Sequence, residues 1–118
     1  MRAPLMTFFH ESVGYCFDSA LVSMGSPIRD WVYDFLEKRS IRREEIPTRF
    51  EEVVKVLLER LGNSARVIAY RTMVSLYQQF SLAPDFAYQD SLPERFNLLR
   101  ERVLADRLYP KMVRNPIG

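Results

Sequence analysis

The residues of this chain that could do chemistry are few and widely separated. His10 is the only histidine and Cys16 is the only cysteine, and a separation of six residues places them on different faces of a helix. A closed zinc site draws on several Cys and His ligands, which one residue of each type cannot supply. No neighbouring base in the sequence would lower the pKa of Cys16. We therefore predict that Cys16 is a small buried hydrophobe and not a nucleophile.

Carboxylates occur as two adjacent pairs, Glu44-Glu45 and Glu51-Glu52. Adjacent residues of a helix do not face each other, whereas acid–base catalysis needs carboxyl groups that converge on one substrate. We interpret both pairs as solvated helix starts, where acidic side chains favour the positive end of the helix dipole. The four glycines are far apart, so no glycine-rich phosphate loop is present. The sequence predicts no catalytic residue, no metal site, no cofactor and no enzymatic activity.

Length and composition favour a single globular domain over residues 1–118. The chain has 118 residues, of which 47% are hydrophobic and 27% charged, and these values are ordinary for a soluble domain that folds alone. One cysteine allows no disulfide within the chain, which fits a reducing compartment. No apolar run approaches the roughly 18 residues of a membrane span, and the N-terminus lacks the apolar run of a signal peptide. We predict a cytoplasmic protein that does not enter the membrane.

Five stretches with apolar residues at helical spacing predict an all-α, compact single-domain bundle of about five helices. Glycine and proline mark the ends of these stretches, notably Gly25, Pro47, Gly62 and Pro110. No stretch shows the alternation that is typical of a β-strand. The predicted helices cover residues 7–24, 26–39, 48–61, 65–80 and 91–108.

The second helix carries the only tryptophan of the chain. Trp31 lies in the middle of an apolar stripe with Ile28, Val32 and Phe35, and we predict that it is buried in the core. Ser26 is predicted as the N-cap of this helix, because Pro27 suits the first helical position.

The fourth helix is apolar on two faces, which is typical of a helix at the centre of a bundle or in contact with a second subunit. The aromatic residues are also more numerous than one small core needs, and tyrosine and tryptophan are favoured at interfaces. We therefore predict a homodimer that pairs through the fourth or the fifth helix, since a closed two-fold is the commonest arrangement. The candidate partner-binding residues are Tyr70, Tyr77, Phe86, Tyr88 and Tyr109.

Residues 91–118 form the basic part of the chain, with six basic and three acidic residues. The alternative interpretation of the function is a small nucleic-acid-binding transcriptional regulator. Its candidate residues, which we call the C-terminal basic set, are Arg100, Arg107, Lys111 and Arg114. Intervening acidic residues and a net charge of only +2 favour instead a solvated face with internal ion pairs. Nucleic acid is therefore the less expected partner.

Six short elements follow one another between residues 17 and 82. They are Met24-Gly25, Leu36-Glu37-Lys38, Glu44-Glu45-Ile46-Pro47, Phe50-Glu51-Glu52, Gly62-Asn63-Ser64-Ala65 and Leu76-Tyr77. In this order they resemble the archaeal output-domain family known as the Nitrosopumilus output domain. Leu61 departs from the family, which has an aromatic residue before its Gly-x-x-Ala element.

This resemblance implies an archaeal helical module, found alone or appended to sensor proteins, with a family-like core over residues 7–82. It implies action by contact with a protein partner, as a signalling output domain, and no enzymatic activity. Residues 83–118 lie beyond the resemblance. We predict that they form a C-terminal extension with the fifth helix and a short basic tail.

Overall fold

The computed structural model describes residues 3–108 of the chain, and the side chains of residues 6–105. This part contains five α-helices and no β-strand, so the predicted all-α bundle is confirmed. None of the described helices is both long and apolar enough to cross a lipid bilayer. The helices are α1 (Ala3–Met24), α2 (Ser26–Lys38), α3 (Phe50–Leu61), α4 (Asn63–Gln79) and α5 (Leu92–Leu108), and a short 3₁₀ helix (Arg43–Glu45) precedes α3.

Two helix boundaries depend on glycines with positive φ. Gly25 has a φ of 117° and Gly62 a φ of 57°, a region that glycine enters without the penalty that a Cβ imposes. Gly25 alone separates α1 from α2, and its carbonyl accepts the N–H groups of Ile28 and Arg29, each at 3.1 Å. The prediction that Ser26 is the N-cap was wrong, because Gly25 makes the turn and Ser26 already belongs to α2.

The predicted helix starts differ from the structure by a few residues. The first helix begins at Ala3 and not at residue 7, and α4 begins at Asn63 and not at residue 65. α3 begins at Phe50, two residues later than predicted, because a turn at residues 46–49 precedes it. Helix ends are set by local hydrogen bonds that a hydrophobic stripe does not specify.

A series of phenylalanine rings runs through the core and joins α1, α3 and α5. Phe17 meets Phe50 with ring centroids 6.1 Å apart, and Phe50 meets Phe96 at 4.8 Å. Phe96 in turn meets Phe9 at 5.7 Å. These tilted and edge-to-face pairs add to the stabilisation that burial alone gives. Four residues of α5 face the core and are at most 3% exposed: Leu92, Phe96, Leu99 and Val103.

α4 lies at the centre of the bundle, where it packs against α1, α3 and α5. One of its two apolar faces is buried in the core through Ala65, Ile68 and Leu76. The loop between α4 and α5 covers the other face, where Tyr70 and Tyr77 contact it. Contacts within the chain therefore bury one apolar face of α4 and part of the other.

Trp31 is not in the core, and the prediction that it is buried was wrong. The residue is 37% exposed, and its ring stacks on Phe35 with centroids 4.9 Å apart. α2 packs on α1 through Val32 and Leu36, which are 0% and 1% exposed. Because successive helix residues are rotated by about 100°, Trp31 is turned away from the direction of Val32 and lies at the edge of the interface.

Candidate interaction site

Asp18 is the centre of a polar cluster that joins α1, α2 and the 3₁₀ helix. Its Oδ1 atom accepts hydrogen bonds from Arg29 Nε at 2.7 Å and from the Tyr33 hydroxyl at 2.7 Å. A guanidinium nitrogen of Arg43 donates a third, at 3.3 Å. The Arg43 guanidinium also lies 3.9 Å from the centroid of the Tyr33 ring, which is within the range of a cation–π interaction. We call Asp18, Arg29, Tyr33 and Arg43 the Asp18 cluster.

The charges of the Asp18 cluster are fixed at neutral pH. Burial raises the pKa of Asp18, but hydrogen bonds from Tyr33 and Arg29 and the charges of Arg29 and Arg43 lower it more, so the net pKa lies below its ordinary value. Burial, and then the hydrogen bond to Asp18, raise the pKa of Tyr33. Asp18 is therefore ionised and Tyr33 keeps its proton, which matches the direction of each hydrogen bond.

A cleft of about 490 Å³ opens beside the Asp18 cluster, between α1 and the segment that contains the 3₁₀ helix. Its apolar lining includes Phe17 and Ile46, which are buried, whereas Glu11, Tyr15 and Glu44 are exposed. An apolar base with charged and aromatic groups around it suits contact with a protein side chain. The polar groups of the Asp18 cluster are already paired with one another, so they hold the wall of the cleft in place.

The outward face of α1 carries three large apolar side chains at intervals of seven residues. Phe8 is 46% exposed, Tyr15 is 64% exposed and Val22 is 55% exposed. Seven residues are close to two turns of helix, so the three side chains lie along one line. Glu11 and Asp18 lie on one flank of this line, where they border the cleft. We call Phe8, Tyr15 and Val22 the α1 stripe.

Cys16 lies in the core, as the sequence predicts. Cys16 is fully buried, and burial raises its pKa to about 11, so the thiol stays protonated as predicted for a buried hydrophobe. Burial, and then the charge of Arg100, lower the pKa of His10. Among the described residues, no group of three or more His, Cys, Asp or Glu side chains is arranged to hold a metal ion.

The paired carboxylates contact neighbouring groups, and one carboxylate of each pair, Glu45 and Glu52, is bonded to the Arg49 guanidinium. Glu45 Oε1 accepts the backbone N–H of Arg42 at 2.9 Å. Glu52 receives two hydrogen bonds from the Arg49 guanidinium, each at 3.0 Å, and Glu51 accepts one from the Asn97 amide. These contacts agree with the interpretation of the pairs as features of helix starts.

Four of the five candidate partner-binding residues form one aromatic cluster within the chain. The Phe86 ring contacts Tyr77 at 5.0 Å and Tyr70 at 5.6 Å, and Tyr88 contacts Tyr70 at 5.4 Å. Tyr77 and Phe86 are 3% and 9% exposed, so little of either ring is open to a partner. Tyr70 and Tyr88 are half-buried. Tyr109 lies outside the described residues.

Hydrogen bonds join the loop between α4 and α5, which carries Phe86 and Tyr88, to α4. The Arg66 guanidinium donates to the Tyr88 carbonyl at 2.7 Å, and its carbon lies 5.2 Å from the centroid of the Tyr88 ring. The Tyr88 hydroxyl donates to Asn63 Oδ1 at 3.0 Å. These contacts hold a loop that has no regular structure of its own.

Of the C-terminal basic set, only Arg100 has a described side chain. Arg100 is half-buried, donates a hydrogen bond to Asn97 at 3.0 Å and lies 5.8 Å from the Phe96 ring centroid. Arg107 belongs to α5, but its side chain is not among those described, and Lys111 and Arg114 lie outside the described residues. The Arg100 side chain is thus engaged by its own helix.

Sequence reasoning missed the Asp18 cluster, the cleft and the α1 stripe. The cluster joins residues that are 11, 15 and 25 positions apart, and no motif of fixed spacing connects them. The α1 stripe did carry a signal. Three apolar residues of the first helix, Phe8, Tyr15 and Val22, do not lie on its core-facing side and recur at an interval of seven residues. Such a repeat is typical of a second line of contact on a helix.

Comparisons of the chain with protein-family models, with curated proteins and with solved structures found no match. The geometry of the described residues therefore supplies the argument about function.

Proposed function

We propose that this chain is a non-enzymatic helical module that acts by protein–protein contact, and that the α1 stripe with the adjacent cleft is its contact surface. The observation that carries the proposal is the α1 stripe itself. Three large apolar side chains, each about half exposed, lie in one line on the outside of the longest helix. Several large exposed apolar side chains on one helix face favour an interaction site, whereas single exposed hydrophobic residues are common on any protein.

The surroundings of the α1 stripe support the same role. The Asp18 cluster fixes α2 and the 3₁₀ helix against α1, so the wall of the cleft is held in one position before a partner arrives. A surface that is ordered in advance loses less conformational freedom on binding. The cleft carries both signs of charge, because Arg43, Glu11 and Glu44 all line it, which favours a partner with a matched polar rim.

The role of signalling output domain, which the resemblance to the archaeal output-domain family implies, is part of this proposal. So is a cytoplasmic location, because the one cysteine is a buried free thiol, in keeping with a reducing compartment.

Site-specific photo-crosslinking in the native cell tests the proposal. A photo-reactive residue replaces Tyr15 in the full chain, and a matched control replaces Lys55, which is exposed on α3. We expect the position 15 variant to give a discrete adduct whose partner is identified by mass spectrometry, and the position 55 variant to give none. The adduct should disappear when Val22→Ser, which shortens the stripe, is added. Equal labelling at both positions, or no adduct at position 15, contradicts the proposal.

A further inference from the structure

The spacing of the α1 stripe makes it symmetric about its middle residue. Phe8 and Val22 are each seven residues from Tyr15. We propose that α1 pairs with α1 of a second copy of this chain, antiparallel, about a two-fold axis that passes beside Tyr15. This inference rests on the proposed function, because it names the partner of the same surface.

A two-fold at Tyr15 matches the apolar residues of both copies. Positions equally far from the axis meet, so Phe8 of each copy faces Val22 of the other, and the two Tyr15 rings lie side by side. The stripe spans 14 residues, which is about 21 Å of helix. A large ring against a smaller branched side chain keeps the distance between the helices even along the seam, as close packing requires.

The charges beside the stripe can be compensated in the antiparallel direction. In an antiparallel two-fold pair, each flank of α1 meets the same flank of the other α1, whereas in a parallel pair opposite flanks meet. Glu11 and Asp18 share one flank, four and three residues from Tyr15, so the antiparallel pair brings Glu11 of one copy to Asp18 of the other. Arg43 is bonded to Asp18 at 3.3 Å and is 56% exposed, so its guanidinium lies within reach of Glu11 of the second copy. The arrangement turns a repulsion between two carboxylates into an ion pair shared by both.

The cleft lies at the level of the axis. The α1 residues that line it run from Glu11 to Asp18, so its centre along the helix is next to Tyr15. Across a two-fold at this level, the exposed Tyr15 ring of each copy meets the cleft of the other, whose base includes the buried Phe17 and Ile46. The surface thus supplies both the projecting ring and the recess for it, which is what an isologous interface requires.

The contact between the two α1 helices is short, and its length limits the expected affinity of the dimer. A standard interface buries about 800 Å² on each partner, and a single helix seam of about 21 Å offers less. We therefore expect a reversible dimer that forms at micromolar or higher concentration. Sedimentation of the full chain over about 1–500 μM should show the mass rising from monomer towards dimer.

Disulfide trapping tests the axis and the direction together. Tyr15→Cys, Phe8→Cys, Val22→Cys and the control Leu58→Cys, which lies on α3 and is 36% exposed, are oxidised separately and in mixtures. Cys16 is fully buried and stays as a native residue. Tyr15→Cys should link with itself at least about tenfold faster than the control, since pairing raises the effective concentration. Phe8→Cys and Val22→Cys should link when mixed and not alone.

Each outcome decides a separate point. Self-linking of Phe8→Cys and of Val22→Cys alone would show a parallel pair and overturn the inference. Linking of Tyr15→Cys at the rate of the Leu58→Cys control would overturn it as well. If trapping fails while photo-crosslinking at position 15 still captures a different protein, the second copy is the wrong partner and the proposed function stands. If position 15 captures nothing in either experiment, both are wrong.

A charge variant gives an independent measurement. Glu11→Arg should abolish the rise of mass with concentration. It would place a positive charge of one copy beside Arg29 and Arg43 of the other copy. Glu59→Arg, an exposed substitution on α3, makes the same change in net charge and should leave the rise intact. A dimer that survives Glu11→Arg unchanged contradicts the predicted ion pair and with it the antiparallel arrangement.

Discussion

Replacing Asp18 by asparagine should loosen α2 from α1, because Asp18 accepts the hydrogen bonds from Arg29, Tyr33 and Arg43. A hydrogen bond to a charged group contributes about 1.5–3 kcal/mol when the site is dry. Asp18 is 31% exposed and Arg43 is 56% exposed, so solvent screening reduces the sum. We expect Asp18→Asn to lower the free energy of unfolding by about 1–2 kcal/mol at neutral pH.

The stability difference between the wild type and Asp18→Asn should depend on pH in one direction. The pKa of Asp18 is lower in the folded chain than its ordinary value, so the stabilisation is fully present above the pKa of the unfolded carboxyl, about 3.9. It is lost as the pH falls through the folded-state pKa, where the carboxylate is protonated. Asparagine has no such titration. The difference in unfolding free energy between the wild type and Asp18→Asn should therefore shrink on going from about pH 7 to about pH 3.

Urea unfolding followed by Trp31 fluorescence and by circular dichroism measures both effects, because Trp31 lies on the helix that the cluster holds. Asp34→Asn is the matched control, since Asp34 lies on the exposed side of α2 and pairs only with Lys38, at 3.1 Å, among the described residues. This control should change the unfolding free energy little at either pH. Equal stability of wild type and Asp18→Asn at neutral pH, or a difference that is unchanged at low pH, would refute the reasoning.

Three further predictions follow from burial and charge. Trp31→Ala should cost about 1 kcal/mol, the size of a lost aromatic pair, in chemical unfolding of the variant, whereas a cost of about 3–5 kcal/mol would mean that the ring is buried after all. Cys16, with its pKa raised to about 11, should not react with a thiol reagent at about pH 8 until the chain is unfolded, and rapid reaction of the native protein would contradict its burial. Titration with labelled duplex DNA at about 150 mM salt should show no binding tighter than the non-specific range of about 10⁻⁴–10⁻⁶ M. Tighter binding that disappears when the C-terminal basic set is replaced would favour the regulator interpretation.

The helices could be predicted because the signals that specify them are local. Gly25 and Gly62 end helices through a backbone conformation that depends on one residue, and each apolar stripe repeats within a few turns. A periodic pattern states which side of a helix is apolar, and this is enough to place it against a core.

The site could not be predicted because it depends on how the helices are rotated against one another. Tyr33 reaches Asp18 only because α2 turns that side towards α1, and the stripe of α2 is wide enough to permit other rotations. Trp31 is an example: the apolar stripe of α2 predicted that it is buried in the core, whereas the rotation of α2 in the structure leaves it at the edge of the interface with α1. Tyr15 was overlooked because a search for the core gives no weight to an outward residue.

The one-residue connection at Gly25 has a consequence for how this chain tolerates insertions and deletions. Only Gly25 separates α1 from α2, so no loop can accommodate an extra residue after it. Such an insertion would turn α2 by about 100° relative to α1. Val32 would then stand where Tyr33 now donates to Asp18, and a deletion would put the carboxylate of Asp34 there instead. The loop of residues 80–91, by contrast, connects two helices without regular structure, and such loops accept changes of length. Variation in length should therefore be confined to that loop and avoid the turn at Gly25.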